Sequence, residues 1–293
     1  MNKQYDCIVV GGGFGGIASA LRSRALGHEV TIVDRLSRLG GRAQVFEREG
    51  FKHDAGPTVI TAPFLFEELF ALFDRELADY VTIVPLDTWY EFYFDDGQTF
   101  SYTGYIEHTY AEIARFNEKD VEGYKALLRL SKSIFEVGFE QLSASPFTSF
   151  STMLKQVPAL LKLKSYHTVY GLVSRFIKDE HLRKVFSVHP LLVGGNPYTT
   201  TSIYTLIHYL ERKWGVHFCM GGTGALVDAL TRLMLEQNIT VRLETDVTAI
   251  RIENGRARGV DTAVGSFIAA DNVIFNGDAP YAYKHLLPSN LRR

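Results

Sequence analysis

A glycine-dense turn, Gly11-Gly12-Gly13-Phe14-Gly15-Gly16, separates a short apolar run, Tyr5 to Val10, from an uncharged helical stretch, Ile17 to Leu21. A buried strand feeding such a turn and a helix is the first half of a βαβ phosphate-binding unit. Gly11 permits the tight turn, Gly13 lets backbone N–H groups approach a pyrophosphate, and Gly16 lets the helix pack close to the strand. Phe14 and Gly15 lie between them, where the helix N-terminus presents unpaired N–H groups and its positive dipole end. Gly27 is placed to end the helix, and Val30 to Val33 forms a second apolar strand closed by Asp34. An acid at that point is where a dinucleotide's ribose hydroxyls are bound.

The residues that follow choose between dinucleotides. Asp34 is followed by Arg35 and Arg38, then by Gly40-Gly41-Arg42. The second glycine pair lets another stretch of backbone lie against the cofactor, and Arg42 adds a cation for phosphate or a flavin's polar edge. Asp54-Ala55-Gly56-Pro57-Thr58 offers a further close approach with a rigid exit. A nicotinamide dehydrogenase needs neither addition, whereas an extended, permanently bound FAD needs both. Taken alone, Gly40-Gly41-Arg42 also reads as a surface turn; its spacing from the first motif favours FAD.

The remaining sequence describes an α/β protein in which a Rossmann-like dinucleotide-binding domain, 1–84 and 222–293, is interrupted by a mainly helical α+β substrate domain, 85–221. A chain of 293 residues fits about two domains. Trp89 to Tyr102 alternates aromatic and polar residues around Asp95-Asp96-Gly97, a hairpin pattern. Helical spacing dominates from Ala111 to Lys213, with Asp120 placed to cap a long helix. Gly221-Gly222-Thr223-Gly224 leads into another helix, capped by Thr223. Short strands then return, Val247 to Ile252 among them, and Ala279 to Leu287 reads as one helix.

Composition narrows the function. Hydrophobic content of 46% and a net charge of −2 exclude a disordered chain and give no basis for nucleic-acid binding. The two cysteines, Cys7 and Cys219, exclude a disulfide framework and suit a reducing, cytoplasmic setting. The histidines show no zinc spacing, so no metal is expected; His189, His208 and His217 read as structural. No run reaches the roughly 18 apolar residues of a spanning helix. From Gln141 to Lys178 there is no acid, while Lys155, Lys162 and Lys164 alternate with leucines. That composition suits an anionic membrane surface, and equally an ordinary helix with leucines in the core and lysines in water.

The motifs Val10 to Gly16, Gly40-Gly41-Arg42 and Asp54 to Thr61 resemble those of the bacterial and fungal phytoene desaturases, of the flavin amine-oxidase fold group. So do Asp179 to Arg183, Leu191 to Pro197, Ser202 to Ile207 and Met220 to Leu226. The resemblance implies FAD contacts from Gly11, Gly13, Phe14, Gly15, Gly16, Asp34, Arg35, Gly41, Arg42, Pro57 and Thr58, with Val247 meeting adenine through its backbone. It implies desaturation of a carotenoid precursor by hydride transfer to flavin, at a membrane surface, with Trp89, Tyr90, Phe92 and Phe94 as candidate tunnel lining. A carotene isomerase and a flavin-free prenyl-binding escort protein are the alternatives. Where some relatives carry an acid after the Phe150-Ser151 position this chain has Thr152, so no catalytic acid or base is assigned. Family members are longer and close with a further glycine- and proline-rich motif. The sequence therefore reads as an N-terminal fragment, expected to be inactive alone. It leaves the oligomeric state open.

Overall fold

The computed structural model describes residues 4–141 and 166–291. The chain forms two compact units, Met1–Val84 with Phe218–Arg293, and Pro85–His217. The return crossing comes slightly ahead of the expected residue 221. Cys219 packs in the first unit's core, and the Met220 N–H donates to the Thr82 carbonyl, which ties this stretch to that unit.

The first unit is built on a parallel four-stranded sheet. Strand β1 (Asp6–Val10) lies between β2 (Glu29–Val33) and Asn272–Phe275, and Thr240–Arg242 pairs on the far side of β2. A central strand covered on both faces should be apolar at every position, and Cys7, Ile8, Val9 and Val10 are all buried. Alternation sends them two ways. Cys7 and Val9 join Ile17 and Leu21 of helix α1 (Phe14–Ala25) and Leu226, Leu230 and Leu233 of the helix Gly222–Glu236. Ile8 and Val10 join Val33, Val247 and Val260, where an antiparallel three-stranded sheet covers the opposite face. Gly27 ends α1 in the left-handed region, at φ +88°.

The second unit begins with the expected hairpin, Thr88–Tyr93 with Thr99–Thr103. It continues into helices Ile106–Asn117, Asp120–Phe135, Val169–Phe176, Glu180–Phe186 and Leu206–Trp214. Its centre is aromatic: Phe100, Tyr102, Tyr124 and Phe186 are fully buried, with Tyr124 stacked on Phe186 at 4.5 Å. Several polar groups inside are paired, whereas the Nδ1 atoms of His189 and His208 and the Ser187 hydroxyl are buried without a hydrogen-bond partner among the described residues. Glu211, fully buried, accepts from Tyr90 Oη at 2.8 Å and meets His189 Nε2 at 2.9 Å, while His208 Nε2 reaches the Phe186 carbonyl at 2.9 Å. Of the three histidines expected to be structural, His189 and His208 are buried core residues and His217 is half-buried.

Three local expectations are corrected. Asp120 does not cap its own helix; its carboxylate accepts the N–H groups of Lys178 and Asp179 at 2.8–2.9 Å, reaching a loop far along the chain. Thr223 is not a cap either: Gly221 holds the N-cap position at φ +85°, and the Asp54 carboxylate accepts the Thr223 N–H at 3.1 Å. The stretch Ala279–Tyr281 is one α-helical turn that widens into a π-helical turn over Ala282–Leu286. Most of the acid-free segment, with Lys155, Lys162 and Lys164, lies outside the described residues, as does Thr152. Among the described residues no helix is long and apolar enough to cross a membrane.

Candidate cofactor site

The site forms where β1 ends. The Gly11 N–H donates to the Val33 carbonyl at 2.9 Å, with Gly11 at φ +98°, so the chain turns sharply off the sheet into α1. Gly16 shows why a glycine is required. A Cβ there would stand 1.9 Å from the Gly11 carbonyl oxygen, a backbone atom with no freedom to move aside. The N-cap is Gly13, no side chain caps the helix, and no acid occupies its first turn. Its leading N–H groups are therefore available to an anion.

Two further segments are laid against this turn. Gly40 bridges Gly13 and its N–H donates to the Gly12 carbonyl at 2.8 Å. Gly41, at φ +58°, sits so close that its Cβ would lie 3.0 Å from Gly13 Cα. Gly56 packs on the Arg42 backbone, where a Cβ would come within 2.2 Å of the Arg42 oxygen. The Ala55 N–H donates to the Gln44 carbonyl at 2.8 Å, anchoring the segment that carries Pro57 and Thr58. Pro57, Thr58, Arg35 and Arg42 are exposed. Among the described residues Arg35 and Arg42 make no ion pair, whereas Arg38 is drawn to Asp228 at 3.4 Å. The side chain of Phe14 is committed to Phe66, edge-to-face at 5.3 Å, which leaves its backbone to the site.

Asp34 is buried at the end of β2. Its Oδ2 accepts the Gly12 N–H at 2.6 Å and its Oδ1 the Leu36 N–H at 2.8 Å. A carboxylate has about four acceptor sites, so about two remain unspent. Val247 is brought to the same end of the sheet: it packs with Val33, and the Thr245 N–H donates to the Asp34 carbonyl at 2.8 Å. Sequence reasoning missed one residue here and the partner of another. Asn276 donates its side-chain amide to the Gly11 carbonyl at 3.2 Å, and its side chain lies against Gly13, Gly15 and Gly16. Asp54 holds the Gly222–Glu236 helix through Thr223, whose hydroxyl in turn donates to the Pro57 carbonyl.

These features fit FAD: glycines whose Cβ atoms would strike backbone, an uncapped helix N-terminus, and a buried carboxylate with acceptor capacity to spare. Nothing in the set is a nucleophile. Both thiols are buried, and burial pushes Cys7 and Cys219 up. No group of His, Cys, Asp and Glu among the described residues is arranged to hold a metal. The aromatic candidates of the second unit are occupied in packing: Trp89 is buried beneath Arg212, Tyr90 bonds Glu211, and Phe94 meets His181 at 4.4 Å.

Comparison with known proteins agrees with this geometry. The family model for flavin containing amine oxidoreductases matches residues 14–292. A phytoene desaturase (lycopene-forming) of Pseudescherichia vulneris is 45% identical over 96% of this chain and 57% of its own length. The protein of the same name from Pantoea ananas is 43% identical over 95% of this chain and 57% of its own length. This chain therefore spans somewhat over half the length of those relatives. Among solved structures, a putrescine oxidase variant shares the fold at a TM-score of 0.64 and 16% identity, over 97% of this chain and 60% of its own.

Proposed function

The chain belongs to the flavin containing amine oxidoreductase family, grouping by sequence with its phytoene desaturases, and from that premise we propose FAD-dependent desaturation of a carotenoid precursor. The observation that carries the proposal is the identity of 43–45% to proteins named lycopene-forming phytoene desaturases, extending well outside the dinucleotide turn. The substrate class is a long isoprenoid of the phytoene type, C40 or C30. FAD, when bound, supplies the hydride acceptor. The protein's share is to bind and orient: backbone N–H groups of the Gly11–Gly16 turn and α1 for the pyrophosphate, Asp34 for the adenosine ribose, and Gly41, Arg42, Pro57 and Thr58 along the remainder. Val247 would meet adenine through its backbone. Holding donor and acceptor in register replaces a bimolecular encounter with a positioned one, and an allylic position in a polyene lowers what the protein must add. One hydride and one proton leave adjacent carbons for each double bond formed.

A substrate this apolar is delivered from a bilayer, so peripheral attachment to the cytoplasmic face of a membrane belongs to the same reading. The acid-free stretch from Gln141 to Lys178 supports it. The test is expression, in phytoene-accumulating cells, of these 293 residues joined to the remaining part of a lycopene-forming phytoene desaturase relative, with flavin absorbance of the purified protein and masses of the pigments; the 293 residues alone, expected to be inactive, serve as the control. Retained flavin and products lighter by pairs of hydrogens are the expected result. Retained flavin beside phytoene of unchanged mass and altered isomer composition would replace desaturation by isomerisation. Unaltered phytoene would overturn the proposed reaction for this chain.

A further inference from the structure

A cavity of about 450 Å³ opens within the second unit, between the helices Ile106–Asn117, Asp120–Phe135 and Leu206–Trp214. Its lining contains three cations, Arg129, Lys132 and Arg212, and no acid. Arg212 is the informative one. It is half-buried, its guanidinium 4.6 Å from the ring centres of both Trp89 and Tyr102. Its hydrogen bonds go to the Thr103 carbonyl at 2.7 Å, the Gly104 carbonyl at 3.3 Å, the Thr109 hydroxyl at 2.9 Å and the Tyr124 hydroxyl at 3.2 Å.

All four acceptors are neutral. The Tyr102 hydroxyl faces the same guanidinium, and among the described residues no acid pairs with it, so a partly desolvated positive charge lacks a counter-charge. Among the described residues Arg129 makes no ion pair, and Lys132 has only Glu136, at 3.8 Å. Glu122, about two turns before Arg129 on the same helix, is taken by Lys125 at 2.7 Å. The walls between the cations are the rings of Tyr110 and Tyr209 and the apolar Ile106 and Leu128.

We propose that this cavity binds a phosphate ester, its anionic oxygens held by Arg212, Arg129 and Lys132 and its organic portion lying on Ile106 and Leu128. Several convergent cations suit a tetrahedral, multiply charged anion better than a planar carboxylate. The volume exceeds what a bare inorganic phosphate fills, which leaves room for the ester's organic part. The phosphate comes either from the headgroup of an anionic phospholipid or from a soluble ester. The first source rests on the membrane reading of this unit; the phosphate site itself does not.

The experiment titrates the purified chain and follows its tryptophan fluorescence, from Trp89 and Trp214, of which Trp89 lies against Arg212. The probes are phosphatidylglycerol vesicles, phosphatidylcholine vesicles, glycerol 1-phosphate and inorganic phosphate. The expected result is saturable binding of phosphatidylglycerol vesicles, competed by glycerol 1-phosphate and weakened at least tenfold in the Arg129→Ala/Lys132→Ala double variant. Both side chains are exposed, so the fold does not depend on them, and Arg129→Lys/Lys132→Arg should bind like wild type. Binding of the soluble phosphates with no preference between the two vesicles would establish the site with a soluble ester as its ligand. No response to any phosphate compound, or a response the double variant leaves unchanged, overturns the proposal. Flavin content, read separately, reports on the cofactor site alone, so a failure there and a failure here are distinguishable.

Discussion

Replacing Asp34 by alanine should damage the protein twice, once without flavin and once with it. The carboxylate is buried and accepts two backbone N–H groups, from Gly12 at 2.6 Å and Leu36 at 2.8 Å. Hydrogen bonds to charged groups contribute about 1.5–3 kcal/mol each, and a buried donor left unpaired costs the full desolvation penalty. Gly12 is buried, so its N–H has no substitute partner; Leu36 is half-buried and water can reach it. The expected loss for Asp34→Ala in the flavin-free protein is therefore about 3 kcal/mol, most of it at Gly12. Asp34→Asn keeps one acceptor oxygen and turns an amide NH2 toward the other N–H, so it should lose about half as much.

The assay is thermal unfolding of wild type and both variants, each flavin-stripped and flavin-loaded. At this chain length about 1 kcal/mol moves a midpoint by roughly 2–4 °C, so Asp34→Ala should melt about 6–12 °C lower without flavin. If Asp34 also binds the ribose, the loaded protein loses a further bond or two, each about 0.5–1.5 kcal/mol, and the gap between variants widens on loading. Equal melting of flavin-free wild type and Asp34→Ala would refute the turn-holding role. An identical drop in both states, with stoichiometric FAD kept through dialysis, would refute the ribose role.

Gly16→Ala should abolish flavin retention, because its Cβ meets the Gly11 carbonyl oxygen at 1.9 Å; Gly27→Ala, with nothing within 4 Å of the new methyl, should cost only the left-handed strain of about 1 kcal/mol. Matching melting curves and flavin content for the two variants would sink that distinction. Stability should also fall with acid. Burial, then the neighbouring His189, holds His208 well below the usual histidine range, with Arg212 adding to the effect and the hydrogen bond to the Phe186 carbonyl opposing it. The unfolded chain then takes up a proton near pH 6.5 that the folded chain refuses, so stability is intact above that pH. Below it, stability declines by up to about 1.4 kcal/mol per pH unit until the folded group titrates. Urea unfolding between pH 7.5 and 5.5 should show that slope, and His208→Gln should flatten it; an unchanged slope in the variant assigns the effect elsewhere.

What was legible in the sequence is what local rules decide. The turn from Gly11 to Gly16, the end of α1 at Gly27 and the hairpin at Asp95-Asp96-Gly97 are each specified within a few residues, by positive φ or by close packing. The misses are polar side chains whose partners lie far along the chain. Thr223 looks like a cap because caps are normally sought beside the helix they serve. Here the cap position is a left-handed glycine without a side chain, and the acceptor is Asp54, 169 residues earlier. Asp120 has the residue type and position of a cap for its own helix, yet its oxygens serve Lys178 and Asp179. Propensity says which groups can accept a hydrogen bond; only the tertiary fold says whose.

Asn276 was recoverable by one further step, through topology rather than propensity. In an open parallel sheet, ligands bind beyond the carboxyl ends of the strands. Each strand of this sheet delivers a residue there: Val10 leads to Gly11, Val33 to Asp34, Arg242 to Thr245 and Phe275 to Asn276. Hydrogen bonds connect neighbouring ends. Gly11 donates to Val33, Asp34 to Arg242 and Asn276 to Val10, through backbone N–H groups at 2.8–3.0 Å. Once the last strand is placed beside β1, on the side opposite β2, the residue after it must fall against the glycine turn, whatever its type. A short polar side chain there can donate to the Gly11 carbonyl and pack on Gly13, Gly15 and Gly16, which is the place Asn276 takes. The cofactor turn is thus held by two stretches distant in sequence, Asp34 on one flank and Asn276 on the other.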